Sequence, residues 1–152
     1  MSAGCHLSAQ AGLLRFMPDP TSAIDPVSTS PPPYFSVADG FAVYRPLGCV
    51  TLKEATALVT SGIAWARAQG VRKLMVVTTG LSGFKSPSLA ERYFFLQDWV
   101  RAGGGFVRLA MVIAPEMIDP GKFGVAAGTN AGIINDVFAC EEQALAWLRA
   151  LE

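Results

Sequence analysis

Histidine, cysteine and charge are scarce in this chain, and each scarcity excludes a class of function. The single histidine among 152 residues is His6. It falls in the proline-rich beginning of the chain, which is a poor place for a general base, so Ser-His-Asp and Cys-His catalysis are not expected. The cysteines, Cys5, Cys49 and Cys140, are odd in number, far apart and without metal-binding spacing. A disulfide framework and a metal site are therefore not expected. No cofactor is predicted either.

Charged residues make up 16% of the chain, with twelve basic residues against twelve acidic ones. No basic run stands out, which argues against a nucleic-acid partner. Long hydrophobic runs are also missing: the longest, near residues 109–114, is too short to span a membrane. The N-terminus lacks the charged region of a signal peptide. We therefore expect a cytoplasmic protein without an integral membrane span.

Proline, by contrast, is concentrated at one end. Six of the ten prolines lie before residue 34, and such a segment favours extended conformations with little to pack. We expect a poorly ordered leader over residues 1–33 and a single folded domain over residues 34–152.

Beyond the leader, the pattern predicts the element order β-β-α-β-α-β-α-β-α. Asp39-Gly40 between two apolar segments is typical of a type I′ hairpin turn. Thr51 and Glu54 form a capping-box pattern for a helix reaching residue 69, and Asp119-Pro120 is expected to start the third helix. Strands alternating with helices indicate an α/β fold, with a mixed, mainly parallel sheet and about four packed helices.

The stretch 73–89 is the centre of this arrangement. An apolar strand runs into a loop containing Gly80 and Gly83, and a helix begins soon after it. In α/β proteins a site usually lies at such a junction. The glycines match neither the dinucleotide-binding nor the phosphate-loop pattern, so turn and packing roles are expected for them.

Two serines near the start of this helix allow two interpretations. Ser86 or Ser88 could be the N-cap, and Ser88 would also form a capping box with Glu91. Alternatively, one of them is a phospho-acceptor. A phosphate there would be stabilised by the helix dipole and by Lys85.

Three aromatic residues, Phe94, Phe95 and Trp99, are predicted to lie off the inward face of the same helix. That inward face is predicted at four apolar positions, Leu89, Tyr93, Leu96 and Val100. Aromatic residues rimmed by charges suggest a contact with another chain. The alternative, that the third helix or the leader covers them within the same domain, stays open.

Residues 35–151 resemble the STAS domain, the fold of the SpoIIAA-type anti-sigma-factor antagonists. The similarity is greatest to the divergent SpoIIAA-like branch, which is often described with the CRAL-TRIO lipid-binding fold. Two motifs carry it: Leu81-Ser82-Gly83-Phe84 after the central strand, and the helix Glu142-Gln-Ala-Leu-Ala-Trp-Leu148. In antagonist members a phosphorylated serine opens the helix after the central strand. Ser86 is the nearest positional match, although the family's neighbouring acidic residue and glycine are absent.

The resemblance implies a non-catalytic regulatory module that binds a protein partner through the 80–88 loop and the following helix. A regulator, a kinase or a second copy of the chain would be such a partner. The residues expected at this contact are Leu81, Ser82, Phe84, Lys85, Phe94, Phe95 and Trp99. The alternative is a carrier of a small apolar or lipid-like ligand held between the sheet and the helices, since about half of the residues are hydrophobic.

Overall fold

The computed structural model describes residues 32–151. The predictions for the leader, including the position of His6, thus lie outside the described residues. The strands are β1 Phe35–Ala38, β2 Phe41–Tyr44, β3 Gly48–Cys49, β4 Lys73–Val77, β5 Leu81–Ser82, β6 Arg108–Val112 and β7 Ile134–Phe138. The helices are α1 Leu52–Ala68, α2 Leu89–Gly103, α3 Phe123–Ala131 and α4 Glu141–Ala150, with a short 3-10 turn at Pro115–Met117.

Five strands form the main sheet in the order β1-β2-β4-β6-β7. β1 and β2 are antiparallel, whereas β2, β4, β6 and β7 are parallel to their neighbours. Each parallel step needs a crossover, and α1, α2 and α3 supply the crossovers in turn. The prediction of an α/β fold with a mixed, mainly parallel sheet and four helices is confirmed for the described residues.

Local sequence signals explain where the first elements begin and turn. Asp39 and Gly40 have φ values of 53° and 81°, and positive φ at both central positions is the requirement of a type I′ turn. Thr51 accepts a hydrogen bond from the Glu54 amide, while the Glu54 carboxylate accepts one from the Thr51 amide. This capping box starts α1 at the predicted residue.

The sheet is covered unequally on its two faces. One face carries the larger core, in which Leu74, Val76, Leu109 and Met111 meet side chains of α1 and α2. Alternate residues of the same strands, such as Met75 and Val77, point to the other face and pack against α4. Both faces of the central strands are therefore apolar, which explains their continuous hydrophobic runs.

The predicted inward face of α2 is wrong in part. Leu89 and Tyr93 are exposed, whereas Trp99 is buried and Phe95 is half-buried against the core. α2 packs against both α1 and α3, so the stripe that lies between them is buried. Turning the large rings of Phe95 and Trp99 inward removes more apolar surface from water than turning Leu89 and Tyr93 inward would.

The third helix begins later than predicted. Asp119-Pro120 was the expected start, but α3 begins at Phe123, after Lys122 in a left-handed conformation. Asp119 nevertheless supports the helix start, because its Oδ2 accepts a hydrogen bond of 2.7 Å from the Phe123 amide.

Candidate apolar ligand pocket

A cavity of about 110 Å³ lies between the main sheet and the helices α1, α2 and α3. Thr78 and Ile113, which directly follow β4 and β6, line it, so the cavity sits at the carboxyl end of the parallel strands. Its walls are mainly apolar side chains; those from α1, α2 and the main sheet include Val59, Phe95, Leu96, Trp99, Met111 and Val137. Ligands in open α/β sheets usually bind at this end of the strands.

The two large aromatic residues of the pocket are held by contacts within the domain. The Phe95 and Trp99 rings lie 4.6 Å apart between centroids. The indole Nε1 of Trp99 donates a 3.4 Å hydrogen bond to the Thr56 carbonyl on α1. Because the indole is tied to a neighbouring helix, this wall of the pocket is formed before any ligand arrives.

A few polar groups interrupt the apolar lining. Arg92 of α2 lies at one side, half-buried, and its Nη2 donates to Ser86 Oγ at 3.1 Å and to the Met117 carbonyl at 3.3 Å. The arginine thereby joins α2 to the loop before it and to the 3-10 turn. It belongs to the same side of α2 as Phe95 and Trp99, so the buried stripe carries one cation.

Two further charged residues line the pocket near the start of α3. Lys122 forms an ion pair of 2.8 Å with Asp136 of β7. The Asp119 carboxylate accepts a hydrogen bond from the Phe123 amide. Both side chains therefore have partners that fix their direction.

Asn135 is the one buried polar side chain among residues 32–151, and it lines the pocket from β7. Its Nδ2 donates to the carbonyl oxygens of Ile133 at 3.0 Å and Val125 at 3.4 Å. The side-chain Oδ1 accepts no hydrogen bond from the part of the chain that the structure describes. This oxygen is an acceptor and can receive a hydrogen bond from a donor group of a ligand.

The residues predicted to bind a protein partner fall into two groups. Leu81, Phe84, Phe95 and Trp99 line the pocket. Ser82, Lys85 and Phe94 are exposed and do not line it. The outward placement predicted for Trp99 is wrong, because its own domain buries it to 6% exposure; the alternative of coverage within the domain holds for this residue.

The loop between β4 and α2 is attached to the chain before α1. β5 pairs in parallel with β3 in a second, two-stranded sheet, which the sequence pattern did not predict. Gly83 follows β5 with φ of 104°, and a Cβ there would lie 2.5 Å from the Val50 carbonyl oxygen. A larger residue at position 83 would push the loop away from Val50, so the Leu-Ser-Gly-Phe motif requires glycine at this position.

The two candidate serines differ in their contacts. Ser88 is the N-cap of α2: its hydroxyl accepts from the Glu91 amide at 3.1 Å, and Glu91 Oε1 accepts from the Ser88 amide at 2.8 Å. Ser86 lies before the helix and accepts from Arg92. Both serines are exposed, and phosphorylation of either one stays a prediction.

Sequence reasoning did not single out Arg92 or Asn135. Arg92 could have been found by placing the buried stripe of α2 on Phe95 and Trp99, since position 92 is then on the same side of the helix. No pattern in the sequence pointed to Asn135 as a pocket residue. It is one polar residue in a short strand, and only the packing of α3 on β7 buries it.

Within residues 32–151, no cluster of three or more His, Cys, Asp or Glu side chains could hold a metal ion. The same part of the chain contains no helix with the length and hydropathy needed to cross a bilayer.

Neither a family model nor a curated protein matches the sequence. Among solved structures, the chain is similar to one titled "NMR structure of the protein TM1081", with 17% identity and a TM-score of 0.41. The similarity covers 77% of this chain and 88% of that chain. It is too distant to support an inference about function, and the fold assignment rests on the strand order and register of the chain itself.

Proposed function

We propose that this protein is a non-catalytic binding protein that holds a small, largely apolar ligand in the pocket between its sheet and α1, α2 and α3. The observation that carries the proposal is the pocket itself: about 110 Å³ of space at the carboxyl end of the sheet, lined mainly by apolar side chains. A well-packed core at this place would have argued against a carrier.

The size of the pocket limits the ligand. An apolar cavity of roughly 150 Å³ accommodates benzene. A cavity of about 110 Å³ that is partly open to the surface therefore suits one small ring or a short alkyl chain. Burial of such a group against Phe95 and Trp99 would supply the binding energy, and the few polar groups would orient it.

The resemblance to SpoIIAA-like domains, which are often described with the CRAL-TRIO lipid-binding fold, agrees with this proposal. It rests on short motifs, so it supports the proposal without identifying a ligand. Of the two functions expected from the sequence, we prefer the carrier to the protein-interaction module. The reason is that four of the seven residues expected at a protein contact line the pocket instead.

Titration with 1-hexanol, followed by two-dimensional amide NMR, tests the proposal. We expect saturable shifts at amides of residues around the pocket, such as Thr78, Leu96 and Ile113. Gly124→Leu is the blocking variant: Gly124 lines the pocket on α3, and a Cβ there has only an ordinary contact with Leu96 at 3.8 Å. The leucine should fill the space and remove binding.

Ala126→Leu is the matched control, because Ala126 is exposed on the same helix and does not line the pocket. It should bind 1-hexanol like the parent protein. Absence of saturable shifts in the parent protein would refute the proposal, and so would equal binding by the Gly124→Leu variant. A native mass spectrum of protein isolated gently from its own cells would then show whether a small adduct is carried there.

A second function is favoured by a separate surface. Leu89, Tyr93 and Phe94 are exposed on the outer side of α2, and the Tyr93 and Phe94 rings lie 5.6 Å apart in an edge-on arrangement. Exposed aromatic residues next to charges are typical of protein contacts. This outer patch, defined as Leu89, Tyr93 and Phe94, supports a role in binding a protein partner, including a second copy of the chain.

A further inference from the structure

Among the described residues, the charge of Arg92 has no acidic partner, unlike that of Lys122, the other cation that lines the pocket. Residues 32–151 contain three ion pairs, formed by Arg45 with Glu141, Arg101 with Asp98 and Lys122 with Asp136. None of them includes Arg92, although this guanidinium is half-buried and lines the pocket. A half-buried charge is costly to desolvate unless another charge compensates it.

The hydrogen bonds of Arg92 leave donors free for a ligand. A guanidinium has N–H groups on Nε, Nη1 and Nη2, and only Nη2 donates, to Ser86 Oγ and the Met117 carbonyl. Both acceptors are uncharged. Among the described residues, Trp65 Nε1 is the one buried side-chain nitrogen or oxygen that lacks a partner. The Nε and Nη1 groups of Arg92, which donate no hydrogen bond to the described residues, are therefore not fully buried and remain available to a ligand.

The remaining charged groups of the pocket do not offer the same opportunity. The Lys122 ammonium is paired with Asp136, and the Asp119 carboxylate accepts from the Phe123 amide. Asp119 keeps its negative charge, so Arg92 and Asp119 are the two pocket charges without an oppositely charged partner in the part of the chain that the structure describes. An anion brought into the pocket would find the unpaired cation at Arg92, beside the apolar wall formed by Phe95, Leu96 and Trp99.

We propose that the ligand of this pocket is a small amphiphilic monocarboxylate, whose carboxylate binds the Arg92 guanidinium and whose apolar tail packs against Phe95 and Trp99. This inference rests on the proposed function and adds the chemical class of the ligand. A guanidinium forms its strongest hydrogen bonds with carboxylates and phosphates. Arg92 is the one cation of the lining without an ion-pair partner within residues 32–151, which suits a monoanion, and a space of about 110 Å³ favours the smaller head group.

Two probes of similar tail size separate the carboxylate from the tail. Hexanoate and 1-hexanol are titrated into the parent protein and into Arg92→Gln, and binding is followed by amide NMR. Arg92→Gln keeps a polar side chain of intermediate length but removes the charge. We expect it to weaken hexanoate binding about tenfold, the loss typical of one hydrogen bond to a charged group. Its affinity for 1-hexanol should change less than about twofold, since that probe has no charge to pair.

Arg101→Gln is the matched control. Arg101 is an exposed arginine on the same helix, it is paired with Asp98, and it does not line the pocket. This variant should bind both probes like the parent protein. Retained binding of 1-hexanol by Arg92→Gln shows that the pocket itself has stayed intact, which separates loss of charge from loss of structure.

Each remaining outcome overturns a defined part of the inference. If Arg92→Gln weakens neither probe, the carboxylate is not bound by Arg92, while the apolar pocket stands. If it weakens both probes equally, Arg92 acts by holding the pocket in shape through Ser86 and Met117, and the inference is wrong. If the parent protein binds 1-hexanol but not hexanoate, the ligand is neutral and the inference is wrong. If the parent protein binds neither probe, the proposed function fails together with the inference.

Discussion

Tyr44 shows how one side chain of the core connects burial to pH dependence. It ends β2 at 1% exposure, with its ring 5.4 Å from that of Phe35. Burial raises the pKa of the Tyr44 hydroxyl above its ordinary value of 10.0, because the phenolate form would lose its hydration. In the unfolded chain the hydroxyl is in water and ionises near that ordinary value.

The stability of the protein should therefore fall as the pH rises above about 10. In that range the unfolded chain has released the Tyr44 proton and the folded protein still holds it, so deprotonation favours unfolding. Below that range both states hold the proton, and Tyr44 adds no pH dependence. We expect Tyr44→Phe to reduce the decrease in the free energy of unfolding between about pH 9 and pH 11, measured by urea denaturation.

Tyr93→Phe serves as the control for this measurement, because Tyr93 is exposed on α2. It should keep the pH dependence of the parent protein. The same slope in the Tyr44→Phe variant would show that the Tyr44 hydroxyl is not the group responsible.

At the scale of a single element, α2 carries most of the residues to which a function is proposed. Its inner side supplies Arg92, Phe95 and Trp99 to the pocket, and its outer side presents the outer patch. Its first turn is fixed by the capping box of Ser88 and Glu91. The capping box fixes where the helix begins, whereas packing against α1 and α3 determines which side chains face inward.

Replacing Ser88 by alanine should destabilise the protein by about 1 kcal/mol, the usual cost of losing an N-cap. The physical reason is that the Glu91 amide loses its acceptor at the end of the helix. The measurement is the urea denaturation midpoint at neutral pH, with an unchanged slope expected.

Ser86→Ala is the matched control, two residues earlier in the same loop. It removes a hydrogen bond to the exposed edge of Arg92 but no helix cap, so we expect a change within about 0.5 kcal/mol. An equal loss in both variants would contradict the assignment of Ser88 as the cap.

At the scale of the whole molecule, the two layers of helices leave different surfaces open. α4 covers one face of the sheet, and α1, α2 and α3 cover the other. The outer patch of Leu89, Tyr93 and Phe94 lies on the second side, with Phe94 the most exposed of the three at 68%. Association through this patch would not require the pocket to change.

If the outer patch binds a second copy of the chain, Phe94→Asp should abolish association while changing the free energy of unfolding by less than about 0.5 kcal/mol. An introduced carboxylate would have to be desolvated in the contact, whereas in the monomer it stays in water. Sedimentation velocity over a range of protein concentrations measures the effect. Ala146→Asp, an exposed position on α4 in the opposite layer, is the control and should leave association unchanged.

A parent protein that stays monomeric at every concentration would exclude self-association through the patch. A dimer that persists in the Phe94→Asp variant would place the contact elsewhere. Charging Trp99 is not a useful test of this surface, since Trp99 is buried and the substitution should unfold the protein.

Much of the fold follows from local patterns that are visible in the sequence. Asp39-Gly40 predicts its hairpin turn, and Thr51 with Glu54 predicts the first residue of α1. The apolar strands between helices predict a mainly parallel sheet. These signals are dependable because backbone conformation and capping depend on neighbouring residues.

The candidate pocket depends on contacts between distant residues, and the sequence predicted it only in part. The 73–89 stretch, predicted to be the centre of the arrangement, supplies Leu81, Phe84 and Pro87 to the pocket lining. The direction of Phe95 and Trp99 was not predictable from the periodicity of α2, which fitted two different stripes. Packing between α1 and α3 selected one stripe, because it buries the larger aromatic surface.

The sequence by itself therefore determined the order of the helices and of the main-sheet strands, the turn at Asp39-Gly40 and the cap of α1, and it narrowed the cap of α2 to Ser86 or Ser88. Only the tertiary structure decided that Trp99 faces inward, that Arg92 lies uncompensated beside an apolar cavity and that Asn135 is buried. Turns and caps are local interactions. Burial and charge pairing depend on which elements meet across the fold, and no short pattern in the chain encodes that.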